Sequence, residues 1–159
     1  MTAAVKPFAV QPGEGRSLAT PTGSSVTIKV DSGTSAGTLT VLEFVTEPKD
    51  GPPLHVHRND DELWWVLEGE YRFRAGDAEF DLPQGGMAFG PRGTPHCFRN
   101  LGDTTGRLLV ITTPAGLERY FEGFAGLLPG PVDPDAFAEV GRANGIEIVG
   151  PPLALPDRS

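Results

Sequence analysis

The sequence predicts an all-β domain followed by a helical extension, and three observations support this prediction. Segments such as GTLTVLEFV (37–45) and RLLVITT (107–113) alternate apolar and polar residues, as half-buried strands do. Glycine and proline are abundant, at 21 and 16 residues, which is typical of a domain with many turns. Strong helical periodicity is confined to the chain after residue 115.

The size and charge of the chain narrow the classes of protein to consider. At 159 residues it suits one domain with a sizeable core. A formal net charge of -8 argues against nucleic acid or an anionic membrane surface as the main partner. No apolar run approaches transmembrane length, and the first residues lack the apolar region of a signal peptide. The single cysteine, Cys97, excludes an internal disulfide, so we expect a cytoplasmic protein.

The elements can be placed in chain order. We expect residues 1–25 to form an N-terminal arm, with an edge strand at VKPFAV (5–10) and a loop from QPGEG onward. Residues 26–113 should form the β domain, and YRFR and AEFDL should pair as a hairpin around Ala-Gly-Asp. Its other expected strands are SVTIKV, GTLTVLEFV, HVH, ELWWVL, MAFG, HCFRN and RLLVITT.

The last segment, residues 114–159, has a different pattern. GLERYFEGFAGLL (116–128) places its large apolar residues on one helical face. A second helix is expected in DAFAEVGRANG (135–145), capped by Asp133 or Asp135 and stopped at Asn-Gly, before GIEIVGPPL resumes an extended pattern. The segment is too short to fold alone, so it should pack on the β domain, either as a structural cover or as a lid.

All three histidines lie in two short, strand-like segments. His55 and His57 are one residue apart, so on a strand they share a face. Glu62 begins the next apolar run, and His96 follows a turn rich in proline and glycine. Two imidazoles on one face can bind a transition metal ion. The alternative is a metal-free set of hydrogen-bonded polar residues, which would leave several buried polar groups to satisfy.

These two segments resemble the two motifs of the cupin superfamily. The first motif, G-x5-H-x-H-x3–4-E-x6-G, is matched by His55, His57, Glu62 and Gly69. Its leading glycine departs from the pattern, because Gly51 lies four positions before His55 rather than six. The second motif, G-x5-P-x-G-x2-H-x3-N, is matched throughout by Gly85, Pro91, Gly93, His96 and Asn100.

The resemblance implies a double-stranded β-helix, the jelly-roll cupin barrel, in a single-domain and quercetinase-like small cupin that is often a homodimer. It implies one divalent transition metal ion, Fe, Mn, Ni, Co, Cu or Zn, and the ligand types do not choose among them. The implied ligands are His55, His57, Glu62 and His96. Glu62 is also expected to act as a catalytic base, because a carboxylate can swing between the metal and a substrate proton. Asn100 is expected to be structural.

Other residues near the motifs have two interpretations. Trp64 and Phe98 share the inward parity of Glu62 and His96, so they and Phe89 either line a pocket or form ordinary barrel core. Trp65 and Cys97 have the opposite parity and should face outward, against the other sheet edge, a helix or a partner subunit. No base of the right parity is available to activate the thiol. We expect two further acids, Asp60 and Asp61, to be solvated loop residues.

Three functions are compatible with these residues. The first is a metal-dependent dioxygenase or oxidoreductase that acts on a small aromatic or enolic substrate, with Glu62 taking the enol proton. The second is a metal-dependent isomerase, cyclase or lyase that uses the same base. The third is a non-catalytic cupin that binds a small ligand. Dependence on oxygen would separate the first two, and absence of turnover would favour the third.

Overall fold

The computed structural model describes residues 4–156 as two antiparallel β-sheets with two short helices. The first strands are β1 Arg16–Ala19, β2 Ser25–Val30, β3 Thr40–Thr46, β4 Pro53–His57, β5 Asp61–Glu68 and β6 Glu70–Ala75. The remaining elements are β7 Ala78–Pro83, β8 Met87–Gly90, β9 His96–Asn100, β10 Gly106–Thr113, α1 Leu117–Glu122, α2 Pro134–Ala143 and β11 Ile146–Pro152. This confirms the predicted all-β jelly-roll with a C-terminal helical extension.

The two sheets pack face to face and enclose the core. One has the strand order β1-β2-β3-β10-β5-β8, and the other has the order β11-β4-β9-β6-β7. Alternation along the strands aims one set of side chains inward; on β5 these are Glu62, Trp64 and Val66. Burying each large apolar side chain contributes about 1.5–3 kcal/mol. Part of the barrel interior is filled by Trp64, Val66, Tyr71, Phe73 and Leu108, all at most 1% exposed.

The N-terminal prediction is wrong in its placement of the edge strand. Residues 5–10 are irregular, and both Val5 and Phe8 are about half exposed. The edge strand is instead β1, Arg16–Ala19, within the stretch we expected to be a loop. It pairs with β2 in an antiparallel hairpin, and Ala19 lies opposite Ser25. The short segment RSLA carries one large apolar residue, Leu18, so its own pattern was too weak to indicate a strand.

The C-terminal extension contains both predicted helices, although the first ends at Glu122 and is followed by turns. Asp133 caps α2, because its Oδ1 accepts hydrogen bonds from the backbone N–H groups of Asp135 at 2.9 Å and Ala136 at 3.3 Å. The extension also supplies β11, which joins the five-stranded sheet beside β4. Residues after 114 are therefore partly strand, and their last element is continuous with the barrel sheet.

Candidate metal centre

Three strands bring the predicted ligands together inside the barrel. His55 and His57 lie on β4, and His96 begins β9 directly opposite His55. Glu62 projects inward from β5 in the other sheet. One ligand atom from each of these four residues lies within 4.8 Å of the other three. The two motifs, separated in sequence, therefore form one cluster.

Backbone carbonyl groups orient two of the imidazoles. Nδ1 of His55 lies 2.7 Å from the carbonyl oxygen of Pro53, and Nδ1 of His96 lies 3.0 Å from that of Thr94. A carbonyl oxygen can only accept, which assigns the ring proton to Nδ1 in each case. The Nε2 atoms are then left with free lone pairs, as a metal ligand requires.

A carboxylate that was not predicted from the sequence orients the third imidazole. Nδ1 of His57 lies 2.7 Å from Oδ2 of Asp60, and Asp60 is only 8% exposed. The expectation that Asp60 is a solvated loop residue is therefore wrong. Asp61 does lie nearer the surface, where it forms an ion pair with Arg92. The sequence did contain a clue: Asp60 lies three residues after His57, which is close enough across a turn for its carboxylate to reach Nδ1 of the imidazole.

The atoms that face one another in the cluster are not satisfied by hydrogen bonds. Oε2 of Glu62 lies 2.9 Å from Nε2 of His96 and 3.2 Å from Nε2 of His57. Despite the short distance, Oε2 of Glu62 and Nε2 of His96 have no partner with hydrogen-bond angles among the described residues. Buried polar atoms without partners are costly, and lone pairs that converge on a shared volume suit a common cation. The cluster could therefore hold one divalent transition metal ion.

The electrostatics of the cluster favour a neutral imidazole at His55 and an ionised carboxylate at Glu62. Burial, together with the neighbouring His96 and His57, lowers the pKa of His55 to about 3. Burial alone would raise the pKa of Glu62, but the adjacent histidines lower it to about 2. Burial would also lower the pKa of His57, but the carboxylates of Glu62 and Asp60 outweigh this effect and raise it. His55 and Glu62 are thus already in the protonation states in which such side chains bind metals.

An apolar cavity that is partly open to solvent leads to the cluster. His55, His57 and Glu62 form part of its wall, and Phe98 lies there too. The helical extension covers it with aromatic and aliphatic side chains, namely Leu117, Tyr120, Phe121 and Phe137. Among the described residues, no lysine or arginine lines this cavity.

A cupin domain model matches residues 42–112, the range that contains both histidine segments. This stretch of the chain is a cupin domain. Of the solved structures, a predicted oxalate decarboxylase from Thermotoga maritima is 18% identical with a TM-score of 0.60, covering 67% of this chain and 99% of its own. An RmlC-like cupin from Shewanella frigidimarina is also 18% identical, with a TM-score of 0.58 and coverage of 70% and 96%. At this identity both similarities show the fold alone.

Among curated proteins, this cupin is similar to an uncharacterised protein of Methanocaldococcus jannaschii. The two are 28% identical over 61 residues, which is 38% of this chain. The chain spans about half the length of that relative, 49%. In the described part of the cupin, residues 4–156, none of the helices combines the length and the apolar character needed to cross a membrane.

Two of the three aromatic residues considered for the pocket wall lie elsewhere. Trp64 is 1% exposed and packs beneath the cluster, with its ring centroid 4.9 Å from that of His96. Phe89 is 54% exposed on the outer face, so the pocket interpretation is wrong for it. The reason is the bulk of Trp64, which pairs with Ala88 on β8 and approaches Gly90 so closely that only these small residues can face inward.

Asn100 of the second motif and its neighbour Cys97 are both buried in the fold. Asn100 is fully buried; its amide nitrogen donates to the carbonyl groups of Glu47 and Thr104, and its Oδ1 accepts from the backbone N–H of Gly102. Cys97 is 1% exposed, and burial raises the pKa of its thiol to about 11. A thiol with this pKa is not an activated nucleophile.

Proposed function

We propose that this cupin is a metal-dependent oxidoreductase, specifically a dioxygenase that acts on a small aromatic or enolic substrate. The observation that carries the proposal is the opening of a three-histidine, one-glutamate cluster into an apolar, aromatic-lined cavity. The proposed ligands are His55, His57, His96 and Glu62. A divalent transition ion bound there would supply Lewis-acid and one-electron redox chemistry.

Glu62 is the proposed base. Its low pKa keeps the carboxylate ionised at neutral pH but makes it a weak base, so a bound metal ion would have to acidify the substrate hydroxyl group for the proton to transfer. It also lies on the cavity wall, where an enolic or phenolic hydroxyl group of a bound substrate would come within reach. A proton transferred to this carboxylate would leave the substrate as an electron-rich enolate or phenolate. Such an anion is the form of the substrate that is more easily oxidised.

The cavity wall favours aromatic substrates over small dianions. Phe98 and Phe121 offer flat apolar surface, and the helices shield the interior from bulk water. A dicarboxylate such as oxalate, named for one structural neighbour, would require cationic partners. None of the described residues that line the cavity is a lysine or arginine. In this cavity, only the metal ion could offset the cost of removing a dianion from water.

Oxygen dependence tests the proposal. Metal-free protein would be loaded in turn with Fe, Mn, Ni, Co, Cu or Zn and assayed with flavonols, catechols and 1,3-dicarbonyls. We expect substrate loss to be matched by oxygen consumption. Turnover that continues unchanged without oxygen would instead support an isomerase, cyclase or lyase with the same base. Binding without turnover under every condition would support a non-catalytic cupin.

We also propose that the cupin forms a homodimer through the outer face of its six-stranded sheet. Trp65 and Met87 are cross-strand neighbours there, and they are 47% and 52% exposed. Phe89 extends the same apolar surface along β8, an edge strand whose unpaired side would otherwise face water. A second copy offers the same surface, so a two-fold contact would bury both at once.

Light scattering after size-exclusion chromatography tests this dimer. Trp65→Glu places a charge at the centre of the proposed contact, and we expect the mass to fall to that of one chain. Phe80→Glu is the matched control, since Phe80 is 46% exposed but lies on the other sheet. Dissociation by both substitutions, or by neither, would contradict this interface.

A further inference from the structure

The cavity has a second polar end that the metal cluster does not use. Asp50, Thr20 and Thr22 form part of its wall. The Asp50 carboxylate accepts a hydrogen bond from the hydroxyl group of Ser24 at 2.8 Å through Oδ2. No described residue donates to its other oxygen, Oδ1. The carboxylate is therefore held in place by one oxygen while the other remains available to a ligand.

The surrounding turn is rigidly built. The Thr20 hydroxyl group donates to the carbonyl oxygen of Ser24 at 2.9 Å and lies 3.1 Å from the hydroxyl oxygen of Thr22. On the other side, the backbone N–H of Asn100 donates to the carbonyl oxygen of Asp50 at 2.9 Å. Because both flanks are fixed, the position of the Asp50 carboxylate is set before any ligand binds.

The register of β9 separates this end from the metal cluster. His55 of the cluster lies opposite His96, the first residue of β9, whereas Asp50 is bonded to Asn100, the last. Four residues of strand span about 13 Å. The wall between the two ends is apolar and includes Phe44, Phe98 and Tyr120. A ligand that reached both ends would need a rigid apolar body of similar length.

The charge at the far end indicates the chemistry of the ligand. Asp50 is an acceptor, and the described residues provide no cation in the cavity to attract an anion instead. A hydroxyl or amine group would donate to Asp50 in a charge-assisted hydrogen bond. A carboxylate or phosphate at that position would be repelled.

We propose that Asp50 is a specificity-determining residue that selects elongated substrates with a hydrogen-bond donor at the end remote from the metal. In this arrangement one end of the ligand presents an enolic oxygen to the histidine cluster, and a phenolic hydroxyl group at the other end donates to Oδ1 of Asp50. This inference rests on the proposed function, which supplies the enolic group that faces the metal. It adds that the opposite end of the substrate carries a hydrogen-bond donor.

Two flavonols that differ by one hydroxyl group test this inference. The probes are 3-hydroxyflavone and 3,4′-dihydroxyflavone, whose extra hydroxyl group is remote from the enolic end. Dissociation constants would be measured without oxygen on metal-loaded protein, by titration calorimetry. We expect the dihydroxy compound to bind about tenfold more tightly to the wild type, as one additional charge-assisted hydrogen bond would give. Asp50→Ala should abolish this preference and leave the affinity for 3-hydroxyflavone nearly unchanged.

Glu47→Ala is the matched control, since Glu47 is an exposed acid three residues away whose side chain lies outside the cavity. It should retain the tenfold preference. If Asp50→Ala does not fold, Asp50→Asn, which keeps the size of the side chain but removes its charge, should reduce the preference to a few-fold, since its amide oxygen can accept only a neutral hydrogen bond. Equal affinities in the wild type, or a preference that survives both substitutions, would overturn the inference.

The same two compounds separate this inference from the proposed function. A tenfold preference without oxygen-dependent turnover would contradict the dioxygenase and support Asp50. Turnover of both compounds at equal affinity would support the dioxygenase and overturn the role of Asp50. Failure of both compounds to bind would overturn the two together.

Discussion

Oδ2 of Asp60 lies 2.7 Å from Nδ1 of His57, and both side chains are buried. The contact holds the imidazole with Nε2 directed toward Glu62, 3.2 Å away. A carboxylate in this position also raises the basicity of the ring nitrogen that faces the proposed metal. Asp60 thus acts on the cluster through His57 rather than by joining it.

We expect Asp60→Ala to weaken metal binding about 10- to 100-fold, because the imidazole of His57 loses the group that orients it. Asp60→Asn should reduce the metal affinity less, since its amide oxygen can still accept a hydrogen bond from Nδ1 of His57. Competition titration with a chelator of known affinity measures the effect. Asp61→Ala is the control, because Asp61 pairs with Arg92 at the surface. Equal affinity in Asp60→Ala and Asp61→Ala would show that Asp60 has no special role.

Removing a proposed ligand should empty the site. In His57→Ala or His96→Ala, one imidazole donor is lost and the remaining polar atoms are left poorly satisfied. We expect metal content by elemental analysis to fall well below one ion per chain in both variants. Full occupancy in both would refute the ligand set.

Glu62→Gln should separate metal binding from turnover. The amide oxygen can still coordinate weakly, so we expect the variant to keep much of its metal. The amide cannot accept a proton as the carboxylate does, so turnover of an enolic substrate should fall by about 10²- to 10⁴-fold. Metal content and steady-state kinetics would be measured on the same preparation. Undiminished turnover in a fully loaded Glu62→Gln protein would remove Glu62 from the role of base.

Gly90→Ala should disturb the site by displacing Trp64 or His96, the side chains that pack against Gly90. A Cβ atom at this position would lie 2.7 Å from Cη2 of Trp64 and 3.3 Å from Nδ1 of His96. Relieving the overlap would shift the indole ring or the imidazole at a cost of about 1–3 kcal/mol. Thermal unfolding and metal affinity should both decline. Gly126→Ala, where the added methyl group meets open space, should change neither.

Glu118 gives a pH-dependent test of how the helical extension is anchored. Its carboxylate accepts hydrogen bonds from the Ser32 backbone N–H at 3.0 Å and from the Thr40 hydroxyl group at 2.5 Å. Burial would raise the pKa of Glu118, but these hydrogen bonds outweigh it and lower the pKa below its ordinary value of 4.5. We expect Glu118→Gln to lower the unfolding free energy at neutral pH by about 1–3 kcal/mol.

The sign of the pH effect follows from the lowered pKa. A carboxylate that is more acidic in the folded state stabilises the fold above its unfolded pKa and loses this contribution as the pH falls. The difference in stability between wild type and Glu118→Gln should therefore narrow below about pH 4.5. Denaturant unfolding of both proteins at several pH values would measure this difference in stability. A gap that stays constant into acid would contradict an ionised anchor.

Strand parity predicted that His55 and His57 share a face, and the resemblance to the two cupin motifs added His96 and Glu62. His55 and His57 share a face on any strand, and motif order placed His96 on a strand that could meet them. Asp60 was missed because its position depends on the turn between β4 and β5, which has no periodicity from which to infer direction. Phe89 was misplaced because the inward face of β8 is decided by Trp64 on the neighbouring strand. The sequence M-A-F-G does not by itself indicate which residue of the neighbouring strand it packs against.

The pairing of β11 with β4 has a consequence for biosynthesis. Ile146 lies opposite His57, and Ile148 lies opposite His55, so the strand that carries two proposed ligands has one edge covered by β11, which is translated after every other strand of that sheet. While the ribosome is still adding those residues, the other three strands of that sheet and both histidine segments have already been translated. The nascent barrel would therefore expose the unpaired edge of β4 beside the histidines until β11 has been made, and in this interval mispairing with another nascent chain would be easiest.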